Sequence, residues 1–358
     1  MKQPSLLLLV PSASDPAHRR VSLALSSHLS RSGLKTDVFA PRTGLADLRI
    51  RRDLTSALAR TKPAICHAHF FSRGMAWLEP GLLPPEARLV LTHQGASLDL
   101  MEHPGAFQSL ARRAEAVTAV SRTGLSELLS SMPWIRPKAA MVPNGADPPR
   151  PCLPGPRTGR EYVLCVGRLA AYKGTDLLLM AFADLLAQGF DLDLVVAGPD
   201  QTSGSLYAFA RSLGVSGRVR FTGAVPLSEV ASLLAGCLFF VLPSRQENMP
   251  MALLEALAAG KPAVAAAAGG VREVIRHGRN GLLIPPGDVP ALARAMARLA
   301  RDNRLRDRLG KAASRDGLHW SWSSAAARYL RLYGWKPKGR GTRSDSSFSA
   351  SFLAANAR

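Results

Sequence analysis

The feature that most constrains the fold is a strand–helix alternation that runs twice along the chain. In the first half, short apolar runs sit at residues 6–10, 36–40, 64–69, 88–92, 116–120 and 140–142. Between them lie segments with helical spacing, such as Val21, Leu25 and Leu29, then Leu54 and Leu58. Strands that are apolar throughout, rather than at alternate positions, belong to parallel sheets covered by helices on both faces. The alternation stops at residues 147–159, DPPRPCLPGPRTG, where five prolines fall in thirteen residues. Proline at that density opposes helix and sheet alike, so the segment reads as a linker. Strand candidates then resume at 162–166, 192–197, 219–222, 238–242, 263–266 and 282–284. Helical candidates lie between and after them at 175–188, 206–213, 227–234, 251–259 and 289–302. Two alternations divided by a linker predict two doubly wound α/β domains. Ligands of such sheets bind at the carboxyl ends of the strands, near the topological switch, so two facing domains make a cleft.

Composition narrows the function. The chain has 358 residues, enough to bury real cores without disulfides or metals. Its 46 Lys+Arg against 26 Asp+Glu give a net charge of +20, which asks for an anionic partner: nucleic acid, a membrane surface or a phosphorylated ligand. No zinc-finger spacing or aromatic RNP-like strand accompanies the charge, and only 6% of residues are aromatic, so nucleic acid is set aside. Cys66, Cys152, Cys165 and Cys237 are scattered and read as reduced thiols of a cytoplasmic protein. No apolar run approaches the ~20 residues of a membrane-spanning helix. The run at 6–10 reads as a first buried strand rather than a signal peptide. Residues 336–358 are Ser/Arg/Gly-rich, carry five basic residues against one acidic, and read as a disordered basic tail.

The densest chemical signal runs from Leu242 to Gly270, LPSRQENMPMALLEALAAGKPAVAAAAGG. A strand ends at Pro243-Ser244, a polar loop follows, and a helix begins near Pro250 with Asn248 placed to cap it. Helix N-termini carry unpaired N–H groups that attract anions such as phosphate. Glu247 lies in the loop and Glu255 on the helix, with seven residues between them. Glu255 is embedded among alanines and leucines, where a carboxylate is costly unless partnered, and polyol hydroxyls are suitable partners. The second signal is Val166-Gly167-Arg168-Leu169…Lys173-Gly174. It sets two cations at the mouth of the sheet, Arg168 able to bind a diphosphate by bidentate hydrogen bonds and Lys173 as a point charge ahead of a helix capped near Thr175.

Together these segments resemble the retaining glycosyltransferases of family 4, which have the GT-B fold of two Rossmann-like domains facing across a cleft. Glu247…Glu255 is similar to that family's E-x7-E motif, set in P-S-x-x-E-N-x-P-x-x-L-L-E-A-x-A-x-G-x-P. The Arg168…Lys173 segment matches its diphosphate-binding segment. Val142-Pro-Asn-Gly-Ala-Asp147, Gly269-Gly270…Glu273 and Asn280-Gly-Leu-Leu-Ile-Pro-Pro-Gly-Asp288 also fit. Trp320-Ser-Trp322…Tyr329…Tyr333 resembles the C-terminal helix that crosses back to the first domain. The likeness is strong from Val142 to Tyr333 and thinner before.

The resemblance implies an acceptor-side domain at 1–147, a linker at 148–160, a nucleotide-sugar-binding domain at 161–318 and a crossover helix at 319–335. It implies that Arg168 and Lys173 hold the donor diphosphate, that Glu255 binds the ribose hydroxyls and that Glu247 binds the sugar near the reacting carbon. Asn248, Met249, Pro250, Met251 and Ala252 would complete the donor site, with backbone amides around 250–252 cradling phosphate. Thr92-His93-Gln94-Gly95 is similar to the family's T-x-H-G segment, which makes His93 the residue that approaches the donor sugar across the cleft. The activity implied is transfer of a hexose-type sugar from a UDP-, GDP- or ADP-sugar to a glycan or lipid-linked acceptor in cell-envelope glycan or glycolipid synthesis, such as lipopolysaccharide. No metal or further cofactor is expected, since side-chain cations meet the diphosphate charge, and retention would proceed by front-face attack. The place implied is the cytoplasm, peripheral to the inner face of the plasma membrane.

Two segments look like metal sites. Asp191-Leu192-Asp193 resembles a DxD motif but leads into a buried strand and reads as a turn-to-strand junction, and His67-Ala68-His69 lacks a third ligand and reads as structural first and acceptor-side second. One departure stands out: the family's glycine pair in the first strand–helix loop is replaced by residues 12–20, SASDPAHRR. That loop supports one alternative, a catalytically weak sugar-nucleotide-binding module, and a non-hydrolysing sugar-nucleotide epimerase, which shares the fold, is the other.

Overall fold

The computed structural model describes residues 5–13, 16–42, 46–69, 75, 77–95, 104–148 and 159–335. The tail, most of the Pro-rich segment and Cys152 lie outside the described residues.

The first half builds β1 (Ser5–Leu9), α1 (Pro16–Arg31), β2 (Lys35–Phe39), α2 (Asp47–Thr61) and β3 (Ile65–His69). It continues with β4 (Arg88–His93), α3 (Pro104–Arg113), β5 (Ala116–Ala119), α4 (Arg122–Ser131) and β6 (Ala139–Met141). The six strands form one parallel sheet in the order β2-β1-β3-β4-β5-β6. The central β1 and β3 are buried at every position, whereas the edge strands β2 and β6 are not. That contrast explains the unbroken apolar runs read in the sequence.

The second half builds β7 (Tyr162–Val166), α5 (Thr175–Ala187), β8 (Asp193–Ala197), α6 (Ser205–Ser212), β9 (Val219–Gly223) and α7 (Leu227–Gly236). Then come β10 (Phe240–Leu242), α8 (Met251–Ala258), β11 (Ala263–Ala266), α9 (Val271–Val274), β12 (Gly281–Ile284), α10 (Val289–Arg301) and α11 (Asn303–Gly317). Its parallel sheet runs β12-β11-β10-β7-β8-β9. Alternate residues of one strand enter opposite cores: Val163 and Cys165 pack with α5 and α10, Tyr162 and Leu164 with α7 and α8. The winding reverses between β7 and β10, so the loops after these two strands flank the switch point where ligands of such sheets bind.

A last helix, α12 (Trp322–Leu332), returns to the first half. Trp322, Ala325, Tyr329 and Tyr333 pack against Leu6, Leu8, Val21 and Leu25 of β1 and α1. The backbone at the return is tight, because a Cβ on Gly145 would come 2.3 Å from the Trp322 nitrogen. Ser321 caps the helix by accepting from the Ser324 N–H.

Candidate functional site

The two sequence signals meet at the second sheet's switch point. The loop after β7 carries Gly167 to Gly174, and the loop after β10 carries Pro243 to Pro250. They are pressed together: the Arg245 N–H donates to the Tyr172 carbonyl at 2.8 Å, and the Arg245 guanidinium makes paired bonds to Asp176 at 2.8 and 2.6 Å. Gly174 takes φ +68° and a Cβ there would fall 2.3 Å from the Pro243 carbonyl oxygen, so only glycine fits. Lys173, at the start of this tight turn, reaches Glu247 Oε1 at 2.5 Å, and Ser244 Oγ donates to the same oxygen at 2.8 Å. The Glu247 side chain is only 6% exposed, so its charge is balanced by Lys173 rather than by water. Arg168 stands exposed at the mouth of the same loop.

Asn248 is not the helix cap that its position suggested. Pro250 is the N-cap and no side chain caps the helix. The Asn248 amide instead crosses the cleft, donating to the Gln94 and Gly95 carbonyls at 3.2 and 2.9 Å and accepting from Ser121 Oγ. The expected amide cradle also shifts, because Pro250 has no N–H. The ladder of α8 begins with Leu253 and Leu254 donating to the Pro250 carbonyl, so the Met251 and Ala252 N–H groups stand ahead of it as the candidate anion donors. Met249, within that loop, is buried in the core beside Leu253 and Val271. Gly174 rather than Thr175 holds the N-cap position of α5, and there too no side chain caps the helix.

Glu255 lies on the face of α8 that looks toward the first half, where Arg20 of α1 forms an ion pair with its Oε1. Burial lowers the Arg20 guanidinium to about 10, which leaves it protonated at neutral pH. Glu255 Oε2 is buried and has no hydrogen-bond partner. Both side chains open on a cavity of about 510 Å³, walled by α1, α7, Asp147 and Trp322. The sequence reading missed Arg20. The signal was a basic residue directly preceding Val21, the first residue of the α1 apolar stripe; the segment 12–20 was read as a loop, but α1 begins at Pro16 and carries Arg20.

His93 ends β4 and is fully buried, on the strand whose following residues Gln94 and Gly95 meet Asn248. His67 and His69 are structural. His67 bonds Tyr333 OH and Thr92 Oγ1, each at 2.6 Å; Thr92 meets Thr118 at 2.7 Å and Tyr329 OH at 3.1 Å. His69 contacts the Gln94 amide, which in turn accepts from Asn144 Nδ2 at 2.9 Å. Burial drives both histidines down, His67 well below the usual imidazole range and His69 to about 3, so they are neutral. Asp191 and Asp193 are held by Arg160 and Arg218 at the start of β8, which is the turn-to-strand junction read from the sequence. Among the described residues, no group of three or more His, Cys, Asp or Glu is placed to hold a metal ion.

Solved structures with this architecture are numerous. HepE from Anabaena, in complex with UDP-glucose, superposes with a TM-score of 0.74 at 18% identity, over 92% of this chain and 99% of that one. The fold is GT-B. A sequence model described as "Glycosyl transferases group 1" matches residues 154–316 of this GT-B chain, which include both signals at the switch point. Alpha-D-kanosaminyltransferase of Streptomyces kanamyceticus is 33% identical over 175 residues, covering 49% of this chain and 45% of that protein. GDP-mannose-dependent alpha-(1-6)-phosphatidylinositol monomannoside mannosyltransferase of Mycolicibacterium smegmatis is 31% identical over 248 residues, covering 63% of this chain and 64% of that protein. The chain spans about half the length of the curated relatives it matches.

Proposed function

We propose that this GT-B chain is a retaining glycosyltransferase of family 4 that moves a hexose-type sugar from a nucleoside-diphosphate sugar to an acceptor hydroxyl. The observation that carries the reading is Glu255: one carboxylate oxygen is held by Arg20, and the other is buried without a partner at a cavity of nucleoside size. A pair of ribose hydroxyls is the donor set that oxygen lacks. The diphosphate would then lie over the Met251 and Ala252 N–H groups within reach of Lys173 and Arg168. As the glycosidic bond breaks, negative charge grows on the diphosphate, and these cations and N–H groups stabilise it. The acceptor oxygen bonds to the anomeric carbon on the face that the phosphate leaves, and the leaving phosphate oxygen takes the acceptor proton. Glu247, oriented by Lys173 and Ser244, would accept hydrogen bonds from the sugar hydroxyls beside that carbon. His93 would close the site from the first half.

The acceptor side falls to the first half. Trp134 is 40% exposed, with Arg112 and Lys138 stacked over its ring at 5.1 and 5.6 Å, and Leu48 stands exposed beside Arg49 on α2. Basic residues interleaved with exposed apolar ones suit an anionic membrane surface carrying a lipid-linked acceptor. Among the described residues, no helix is long and apolar enough to cross a membrane.

The test is release of nucleoside diphosphate from UDP-, GDP- and ADP-sugars, with cell-envelope lipid extracts as acceptors. Release that Lys173→Ala and Glu255→Ala abolish is the expected result; turnover unchanged in both variants overturns the site. Epimerised donor appearing without any acceptor would identify an epimerase instead.

A further inference from the structure

The cleft is bridged again, away from Arg20 and beside Asn248. Glu273 of α9 extends from the second half to the N-terminus of α4 in the first, where its Oε1 accepts from the Arg122 N–H at 2.7 Å and the Thr123 N–H at 3.4 Å. These are two of the N–H groups that a helix start leaves unsatisfied, and the negative charge suits that end of the helix dipole. Ser121, the N-cap of the same helix, accepts from the Gly124 N–H at 3.0 Å and bonds Asn248. The packing leaves no slack. A Cβ on Gly124 would meet Asn248 Oδ1 at 2.8 Å, and one on Gly270 would meet the Asn248 carbonyl oxygen at 2.0 Å. Gly269 has the same relation to Glu247, whose carbonyl oxygen would lie 1.7 Å from an added Cβ.

The segment 269–273 therefore supports the loop carrying Glu247 and Asn248 from beneath while gripping the first half with Glu273. Asn248 spans from Ser121 to the carbonyls of Gln94 and Gly95, directly after His93. We infer that Glu273 is a positioning residue: by clasping the α4 N-terminus it sets the 93–95 loop against Glu247 and Asn248 and so fixes the closed geometry in which transfer occurs. The catalytic consequence rests on the function proposed above; the clasp itself does not. The Glu273 carboxylate is engaged at the α4 N-terminus, so it acts on the geometry of the reacting sugar and not on retention of the nucleotide.

Three variants test this: Glu273→Ala, Glu273→Gln, and Gly124→Ala, which presses on the Asn248 amide without touching Glu273. Hydrogen exchange reads the clasp without any substrate. Glu273→Ala should raise exchange at Arg122 and Thr123 while leaving the β7 amides protected. Kinetics read the consequence: kcat should fall at least about tenfold in Glu273→Ala and Gly124→Ala, as expected when a reacting geometry is loosened. The dissociation constant for free nucleoside diphosphate should stay within about twofold of wild type, and Glu273→Gln, which keeps one acceptor oxygen, should lie between. A residue that served folding alone would lower Tm without this split between kcat and nucleotide affinity. Wild-type exchange rates at Arg122 and Thr123 in Glu273→Ala would overturn the clasp. Raised exchange with unchanged kcat, or nucleotide affinity falling in step with kcat, would overturn the positioning role. If Glu273→Ala does not fold, Glu273→Gln carries both readouts and Gly124→Ala the kinetic one. Wild-type protein that binds no nucleoside diphosphate would count against the proposed function, and the exchange measurement would still decide the clasp.

Discussion

Arg20 on the first helix and Glu255 on the eighth form an ion pair across the cleft, 22% and 14% of the two side chains being exposed. The pair joins the two halves at the residue proposed to receive the ribose, and it occupies one carboxylate oxygen while leaving the other unpartnered.

Arg20→Ala should therefore weaken nucleotide binding. With Arg20 gone, the Glu255 carboxylate loses the guanidinium that orients it across the cleft toward the ribose hydroxyls. Calorimetric titration with nucleoside diphosphate should show the loss, and Arg20→Lys should restore much of it. The stability cost should stay below the ~3–5 kcal/mol of a fully buried pair, because both side chains keep some contact with water. Nucleotide affinity equal to wild type in Arg20→Ala would remove Arg20 from the site.

Lys173→Ala leaves Glu247 nearly buried with Ser244 as its remaining neutral partner. If Lys173 stabilises the departing diphosphate, kcat should fall about 10²–10³-fold. Steady-state rates with the donor found in the screen measure it. Lys173→Arg should recover only a fraction, since a planar fork does not reproduce a point charge beside Glu247.

Stability should fall on acidification below about pH 6.5, through His67 and His69. Their folded pKa values lie below the usual 6.5, so between that pH and the folded value the unfolded chain binds more protons than the folded one. Unfolding free energy then rises with pH across this window and is lost as pH falls through it, down to about 3 for His69. Each histidine contributes a slope of up to about 1.4 kcal/mol per pH unit. Urea melts from pH 7 to 4.5 should show the slope, and His69→Gln should reduce it.

Cys66, Cys165 and Cys237 are buried, and burial pushes each thiol up to about 12. Thiols held protonated and out of reach are inert. Maleimide at pH 7.5 should leave all three unlabelled in the folded protein and label them after denaturation, as read by peptide mass spectrometry. Labelling of Cys165 in the native state would mean that the sheet beside Lys173 opens readily.

Much of the architecture was legible along the chain because it depends on local period. Residues 162–166 and 263–266 form the strands expected of them, and 175–188 the helix to within one residue. Buried parallel strands must be apolar at every position, and that pattern survives without knowledge of neighbours. The spacing of Glu247 and Glu255 was likewise readable, since it lies within one loop and one helix.

What the sequence by itself determined was two wound sheets, their switch-point loops and the carboxylates and cations those loops carry. Tertiary structure alone decided what those groups touch. Asn248 reads locally as a cap, yet it spends its amide on carbonyls 153 and 154 residues earlier. Glu273 was legible only as part of a segment that fits the family pattern, yet its carboxylate meets the start of a helix 151 residues before it. Tyr333 satisfies His67 across 266 residues. Such contacts leave no periodic trace, because hydrogen bonding constrains only the pair that meets, whereas burial constrains every residue of a strand.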